Sequence, residues 1–280
     1  MKNFFVIIVW FLGLMNIAFA QSPASVKVIN DVRYAPKIEA SLNDVSCDRF
    51  LDIYLPENTS ESSKLPVFMF IHGGGFSGGD KSQTKGFCER LASKGVAVVS
   101  INYLPNLKLN RVQGVTCRSN MSEGLPASGK FHPALSQAID IASVDASLAL
   151  KWIKDNAKKY HFDVNKITVS GGSAGAMTAL YMGLCKKNKI KIAALVNFFG
   201  GLENNDYIVN YKLPVLTFHG NKDDLISVEY AHSLHQFLEK KNNTHSKLVI
   251  MDGVGHASHI YITSKIPVIL DFLASVYTVK

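Results

Sequence analysis

The sequence predicts an α/β fold: a mostly parallel central sheet with helices on both faces, built as one domain over residues 21–280. Three observations predict it. Seven apolar runs of strand length recur, at 50–55, 66–72, 96–103, 166–170, 193–199, 214–220 and 246–251. Helical patterns lie between them, at 81–94, 134–160, 174–187, 228–241 and 262–276, and strand–helix alternation of this kind builds parallel sheets. Several runs, "PVFMFI" among them, are apolar at successive positions, as strands covered on both faces are. With 280 residues and 47% apolar side chains, the chain can bury a large core. No internal repeat or low-complexity linker divides it.

The first twenty residues stand apart. "MKNFFVIIVWFLGLMNIAFA" has a lysine near its start, an apolar run and Ala18-Phe19-Ala20 before Gln21. That is the pattern of an export signal cut after Ala20. The run is short against the about 20 apolar residues of a bilayer span, so no stable membrane insertion is expected after cleavage. The mature chain is expected to be exported, to the periplasm or the medium. Its net charge is +7, the full chain's +8 less Lys2. Lysine pairs such as Lys186-Lys187 and Lys240-Lys241 read as solvated helix ends. No nucleic-acid motif accompanies them, so no nucleic-acid partner is expected. Cys47, Cys88, Cys117 and Cys185 all lie in the mature part, where an oxidising compartment permits disulfides. Of the three pairings that four cysteines allow, Cys88 with Cys117 is preferred, because it would tether a long loop to the neighbouring helix. None has C-x-x-C spacing, and neither a metal site nor a cofactor is expected.

The arm 21–48 is short, and "FLDIYL" (50–55) opens the run of strands. "PVFMFIH" (66–72) leads into "GGGFSGGDK". Three consecutive glycines cost conformational entropy and make sense where backbone N–H groups must approach a ligand closely. An HGGG loop forms one wall of the esterase oxyanion hole, which assigns the amides of Gly74 and Gly75 to it. No G-K-[ST] follows, so a Walker loop is not expected. His72 is assigned to orienting the loop. After the helix 81–94 and the strand 96–103 comes an exceptional stretch, 104–133. It carries three prolines and little apolar periodicity. A loop this long is often functional, and it leaves the sheet edge where ligands bind in such folds.

Beyond the helix 134–160, "KITVS" runs into Gly171-Gly172-Ser173-Ala174-Gly175. This G-x-S-x-G lies after a strand and before a helix, the context of a nucleophile elbow that points the serine hydroxyl into a cleft. The amide of Ala174 joins those of Gly74 and Gly75 as oxyanion donors. A serine is a poor nucleophile without a base. "PVLTFHGNKDDLI" delivers Asp223 and Asp224 at a strand tip, and "LVIMDGVGHASH" delivers His256. Serine, aspartate, histidine is the chain order of one triad arrangement, with histidine as base and aspartate holding its tautomer. His256, directly after Gly255, is favoured over His259, which begins the last helical stretch. Asp223 and Asp224 are left open by spacing, one of them being suited to capping the next helix.

Taken together, "HGGG" at 72–75, "INY" at 101–103, "GGSAG", "HGNKDDLI" and "GVGH" resemble the α/β-hydrolase superfamily, in its carboxylesterase and hormone-sensitive-lipase-like group. The resemblance covers nearly all the mature chain. The family's H-G-x-x-D segment places the acid on Asp223. It also marks Asp145, in the helix before the nucleophile strand, as structural. Departures are Ala176, where a second glycine is common, and Leu104-Pro105, where the family often reads Arg-Leu. The stretch from Ser173 to Asp223 is too short for a large cap domain. An open cleft partly covered by 104–133 is expected.

The resemblance implies a serine esterase acting on a small-molecule or carbohydrate-linked ester, without cofactor or metal. Rival readings are a prolyl-oligopeptidase-like peptidase, an acyltransferase and a binding module without catalysis. The peptidases typically carry proline at the third glycine of "HGGG", where this sequence has Gly75, and a large extra domain, which is not expected here.

Overall fold

The computed structural model describes residues 25–39, 44–57, 64–256 and 259–278; the expected export signal falls outside the described residues. Eight strands make one sheet: β1 (Val26–Arg33), β2 (Phe50–Pro56), β3 (Leu65–Ile71), β4 (Ala97–Ile101), β5 (Phe162–Gly172), β6 (Ala194–Phe198), β7 (Val215–Gly220) and β8 (Lys247–Met251). Their order is β1-β2-β4-β3-β5-β6-β7-β8. The pairs β1/β2 and β2/β4 are antiparallel, and all the others are parallel. The helices are α1 (Lys85–Ala92), α2 (Asn106–Leu109), α3 (Cys117–Met121), α4 (Pro133–Asp155), α5 (Ala157–Tyr160), α6 (Ala174–Leu180), α7 (Glu229–Lys240), α8 (His259–Ser264) and α9 (Ile266–Tyr277).

The apolar strands divide their side chains between two cores. In β3, Val67, Met69 and Ile71 face one core with residues of α4, α6 and α7. Phe68 and Phe70 face the other, with residues of α1, α8 and α9. Successive strand residues point to opposite faces, so a strand apolar at every position is buried on both. On the second face Phe70, Phe87, Phe198 and Phe218 form a chain of ring contacts with centroids 5.3–6.3 Å apart. Burying each ring stabilises the fold by roughly 1.5–3 kcal/mol.

All seven expected strands form. The eighth, β1, had no signal: "VKVINDVR" is a half-buried edge strand interrupted by a register shift between Ile29 and Val32, with Asp31 at φ 55°. The helical patterns are subdivided. The stretch 134–160 breaks at Asn156, and 174–187 widens into a π-helical turn at Tyr181–Cys185 after Leu180. The last pattern breaks at Lys265 between α8 and α9, with Pro267 in the first turn of α9. The stretch 104–133 contains α2 and α3.

The expected Cys88–Cys117 disulfide does not form, and all four cysteines are free. The two thiols belong to opposite cores, Cys117 beside α6 and Cys88 on α1, so the sheet stands between them. Each is held as a small buried residue: Cys117 lies 3.9 Å from the Met177 Sδ and Cys88 lies 3.8 Å from the Thr84 hydroxyl. Burial pushes both thiols up to about 12.

Candidate active site

The C-terminal ends of β3, β5, β7 and β8 converge on one cleft. At the end of β5 the chain turns sharply into α6. Ser173 sits at the turn with φ 55° and ψ −119°, a conformation that costs a non-glycine residue energy. Packing holds it there: the Ser173 amide donates to the Phe198 carbonyl at 2.8 Å, and the Met177 amide donates to the Ser173 carbonyl at 2.9 Å. Gly175 is required by contact. A Cβ there would lie 2.1 Å from the Ile71 carbonyl oxygen and 2.5 Å from that of His72. The first turn of α6 is thus pressed against the end of β3.

His256 follows β8, and its ring bridges the other two groups. Its Nε2 lies 3.0 Å from the Ser173 hydroxyl and its Nδ1 lies 2.8 Å from Asp223 Oδ2. The carboxylate is fixed from its other side: Oδ1 accepts the amides of Leu225 at 3.0 Å and Ile226 at 2.9 Å. Burial alone would raise the Asp223 pKa, but hydrogen bonds from His219 and His256 hold the carboxyl well below the usual range. Asp224 points away and pairs with Arg118 at 2.7 Å on the surface. Of the two aspartates the sequence left open, only Asp223 meets a histidine. His259 is the first residue of α8.

Sequence reasoning missed two neighbours of this chain of contacts. His219 is fully buried; its Nε2 donates to the Ile226 carbonyl at 2.9 Å and lies 3.3 Å from Asp223 Oδ2. It stands in the quoted "HGNKDD" segment, where only the aspartates drew attention. Phe199, at φ 56°, sets its ring edge-on to His256 at 5.8 Å. Its signal was hidden inside an ordinary apolar run.

The glycine loop forms the facing wall. Gly74 has φ +117°, and a Cβ on Gly73 would come within 3.4 Å of the Ser173 Cβ. Gly74, Gly75 and Ser173 line the same cavity. Ala174 is the first residue of α6, where an amide has no intrahelical acceptor. His72 anchors one end of the loop: its Nδ1 donates to the Gly73 carbonyl at 2.6 Å and its ring stacks on Tyr103 at 4.5 Å. Burial holds its pKa down at about 4, so the ring is neutral near pH 7. Asn102 anchors the other end, accepting from the Lys81 amide at 2.6 Å and donating to Asp80 at 2.9 Å.

The cavity measures about 900 Å³ and is bordered by 107–118 from the long loop. That loop is knitted down. The Leu104 amide donates to Asp145 Oδ2 at 2.9 Å, whose Oδ1 accepts from Arg49 Nε at 2.8 Å. The Leu107 amide donates to the Phe76 carbonyl at 2.8 Å, and the Tyr230 hydroxyl donates to the Gly124 carbonyl at 2.8 Å. The structural role expected of Asp145 is therefore to brace the start of the loop.

The BD-FAE family model matches residues 51–109 and 135–206 of this chain. Fumonisin B1 esterase of Sphingopyxis macrogoltabida is 32% identical over 129 residues, 45% of this chain and 21% of that protein. Mouse carboxylesterase 1E is 26% identical over 207 residues, 66% of this chain and 33% of that enzyme. The esterase of Thermogutta terrifontis, solved with butyrate bound, superposes with a TM-score of 0.65 at 19% identity, over 90% of this chain and 94% of its own. The chain has the α/β-hydrolase fold, and its matched segments are similar to carboxylesterases. It spans between a fifth and a third of the length of these two curated relatives. The Thermogutta esterase has also been solved phosphorylated by paraoxon, with a TM-score of 0.62 at 18% identity over 91% of this chain and 95% of its own. The family match leaves out residues 110–134, most of the long loop.

Proposed function

We propose that this α/β hydrolase is an exported serine esterase that cleaves carboxylic esters of short acyl groups or of acylated carbohydrates through an acyl-enzyme. The observation that carries the reading is the continuous chain Ser173 Oγ, His256, Asp223, with contacts of 3.0 and 2.8 Å, at the mouth of an open cleft. Ser173 Oγ attacks the ester carbonyl while His256 Nε2 takes its proton. Asp223 Oδ2 stabilises the imidazolium that forms and keeps Nδ1 protonated. The amides of Gly74, Gly75 and Ala174 receive the oxyanion, each such donor being worth about a hundredfold or more in rate. His256 then protonates the leaving alcohol. Water, deprotonated by the same nitrogen, releases the acid and restores Ser173.

Short acyl groups and acylated carbohydrates are favoured by the open cleft, and butyrate is the ligand of the Thermogutta esterase. Export is supported by the charged, apolar and small-residue order of the first twenty residues. The test is labelling of the mature protein with a fluorophosphonate, beside Ser173→Ala, together with para-nitrophenyl esters from acetate to octanoate. Labelling of Ser173 that vanishes in the variant, with turnover of the shorter esters, is expected. A folded protein that neither labels nor cleaves any of them overturns the proposal.

A further inference from the structure

The cleft that holds Ser173 has a one-sided charge. Its described lining includes Lys108, Arg111 and Arg118, all from the long loop, and no aspartate or glutamate. The first and last of these cations are each engaged by an aspartate from outside the cleft. Lys108 Nζ contacts Asp44 at 2.6 Å and Arg118 Nη2 contacts Asp224 at 2.7 Å. Arg111, exposed on the cleft border between α2 and α3, pairs with no carboxylate among the described residues. A guanidinium offers a planar fork of donors matched to a carboxylate.

The border that carries it is fixed. The Leu107 amide is bound to Phe76, α3 is closed by a capping box between Thr116 and Ser119, and Cys117 and Met121 are buried beneath it. These anchors on either side keep the exposed stretch 108–114 at the mouth of the site. Apolar side chains complete the lining, with Leu107, Val112, Val115, Leu225 and Ile262 around the cleft. Such a surface accepts a hydrocarbon linker between an ester and a distant charge. Arg111 and Arg118 lie in 110–134, a stretch between the two blocks that the family model matches.

We infer that the preferred substrate is an anionic ester, one whose acyl or alcohol part carries a carboxylate that docks on Arg111 with Arg118 and Lys108 flanking it. The inference rests on the esterase reading and narrows its substrate class. A carboxylate held there leaves the ester carbonyl to the glycine loop and Ser173. The same fixed cations would draw anionic substrates toward the cleft, an effect that salt weakens.

Two matched pairs test it and separate the two sources of the charge. The acyl pair is the mono-para-nitrophenyl ester of glutaric acid against para-nitrophenyl valerate. The alcohol pair is the acetate of meta-hydroxybenzoate against the acetate of its methyl ester. The expected result is a kcat/KM ratio of anionic to neutral ester of about tenfold or more in one pair, which says which side carries the charge. That ratio should fall about tenfold in Arg111→Gln, recover in part in Arg111→Lys, and shrink as sodium chloride is raised. Arg118→Gln should lower it less, because Asp224 already engages that guanidinium. Fluorophosphonate labelling of every variant verifies that the site is assembled. Cleavage with ratios near one in both pairs, or a ratio untouched by Arg111→Gln, overturns the inference and leaves the esterase reading standing. No cleavage of any of the four, with Ser173 unlabelled, overturns both.

Discussion

Replacing Gly175 by alanine tests whether the close approach of α6 to β3 builds the site. The new Cβ would stand 2.1 Å from the Ile71 carbonyl oxygen, 2.5 Å from the His72 carbonyl oxygen and 2.6 Å from the Ile71 carbonyl carbon. All three are backbone atoms, so no side chain can swing aside. Reaching even 3.0 Å, the closest approach real Cβ atoms tolerate, requires α6 and the end of β3 to part by about 1 Å. Overpacking of this kind costs roughly 1–3 kcal/mol. The displacement falls between Ser173 and the loop of Gly74 and Gly75, and a 1 Å misplacement of reacting groups costs about a hundredfold in rate. The expected outcome is a fall of about a hundredfold in kcat/KM on a para-nitrophenyl butyrate assay, with a Tm lower by roughly 2–10 °C. Gly86→Ala is the control. Gly86 lies in α1 with nothing within 4 Å of its added Cβ, and helix propensity should raise stability by about 0.5–1 kcal/mol. A Gly175→Ala variant with native kcat/KM and native Tm would refute the reasoning, because the elbow would then not depend on that contact.

Asp223→Asn should cut kcat by about four orders of magnitude, by losing the group that holds the His256 tautomer. Asp224→Asn should change ester turnover little, since its only described ion pair is the exposed one with Arg118; parallel kinetics on one neutral ester distinguish them. His72 has its pKa depressed from 6.5 to about 4 by complete burial. The unfolded state therefore binds the proton first, and stability is full above about pH 6.5 and declines as pH falls toward 4, by on the order of 3 kcal/mol. Urea melts across that range should show a shallower decline in His72→Asn. Arg49→Ala strips the guanidinium from buried Asp145. Leaving that charge uncompensated should cost about 3–5 kcal/mol, and Asp145→Asn added to it should recover part of the loss in the same melts.

The strands were legible because burial on both faces leaves a run such as "PVFMFI" with no polar position to blur it. The elbow and the glycine loop were legible because each needs small residues at fixed spacing, and those residues have no other reason to cluster. β1 was not, because an edge strand with one exposed side and a register shift carries neither periodicity nor a continuous apolar run. Long helical patterns showed where a helix face lies but not where it breaks, at Asn156 and Lys265. The disulfide preference failed because proximity in sequence carries no information on which face of the sheet each thiol takes. His219 stayed hidden for a related reason. Its partner is the carboxylate four residues on, and only the turn after β7 brings both onto one atom, Oδ2.

The parts of the site differ in what holds them. Ser173, Asp223 and His256 follow β5, β7 and β8, whose relative heights are set by parallel registers pairing Gly171 with Asn197, Phe198 with Phe218 and Gly220 with Met251. A slip of one residue in any of these ladders would move a strand tip by about 3.3 Å, more than the 3.0 Å between His256 and Ser173. The two contacts that join these three residues are therefore coupled to the pairing of the whole sheet, and core substitutions that loosen it should lower kcat on every ester alike. The cations at the cleft border depend instead on α2, α3 and the braces at Leu104, Leu107 and Tyr230. Substitutions there should shift the ratio between esters while Ser173 still labels at its native rate. Measuring labelling rate and ester ratio on the same set of variants separates the two groups of residues.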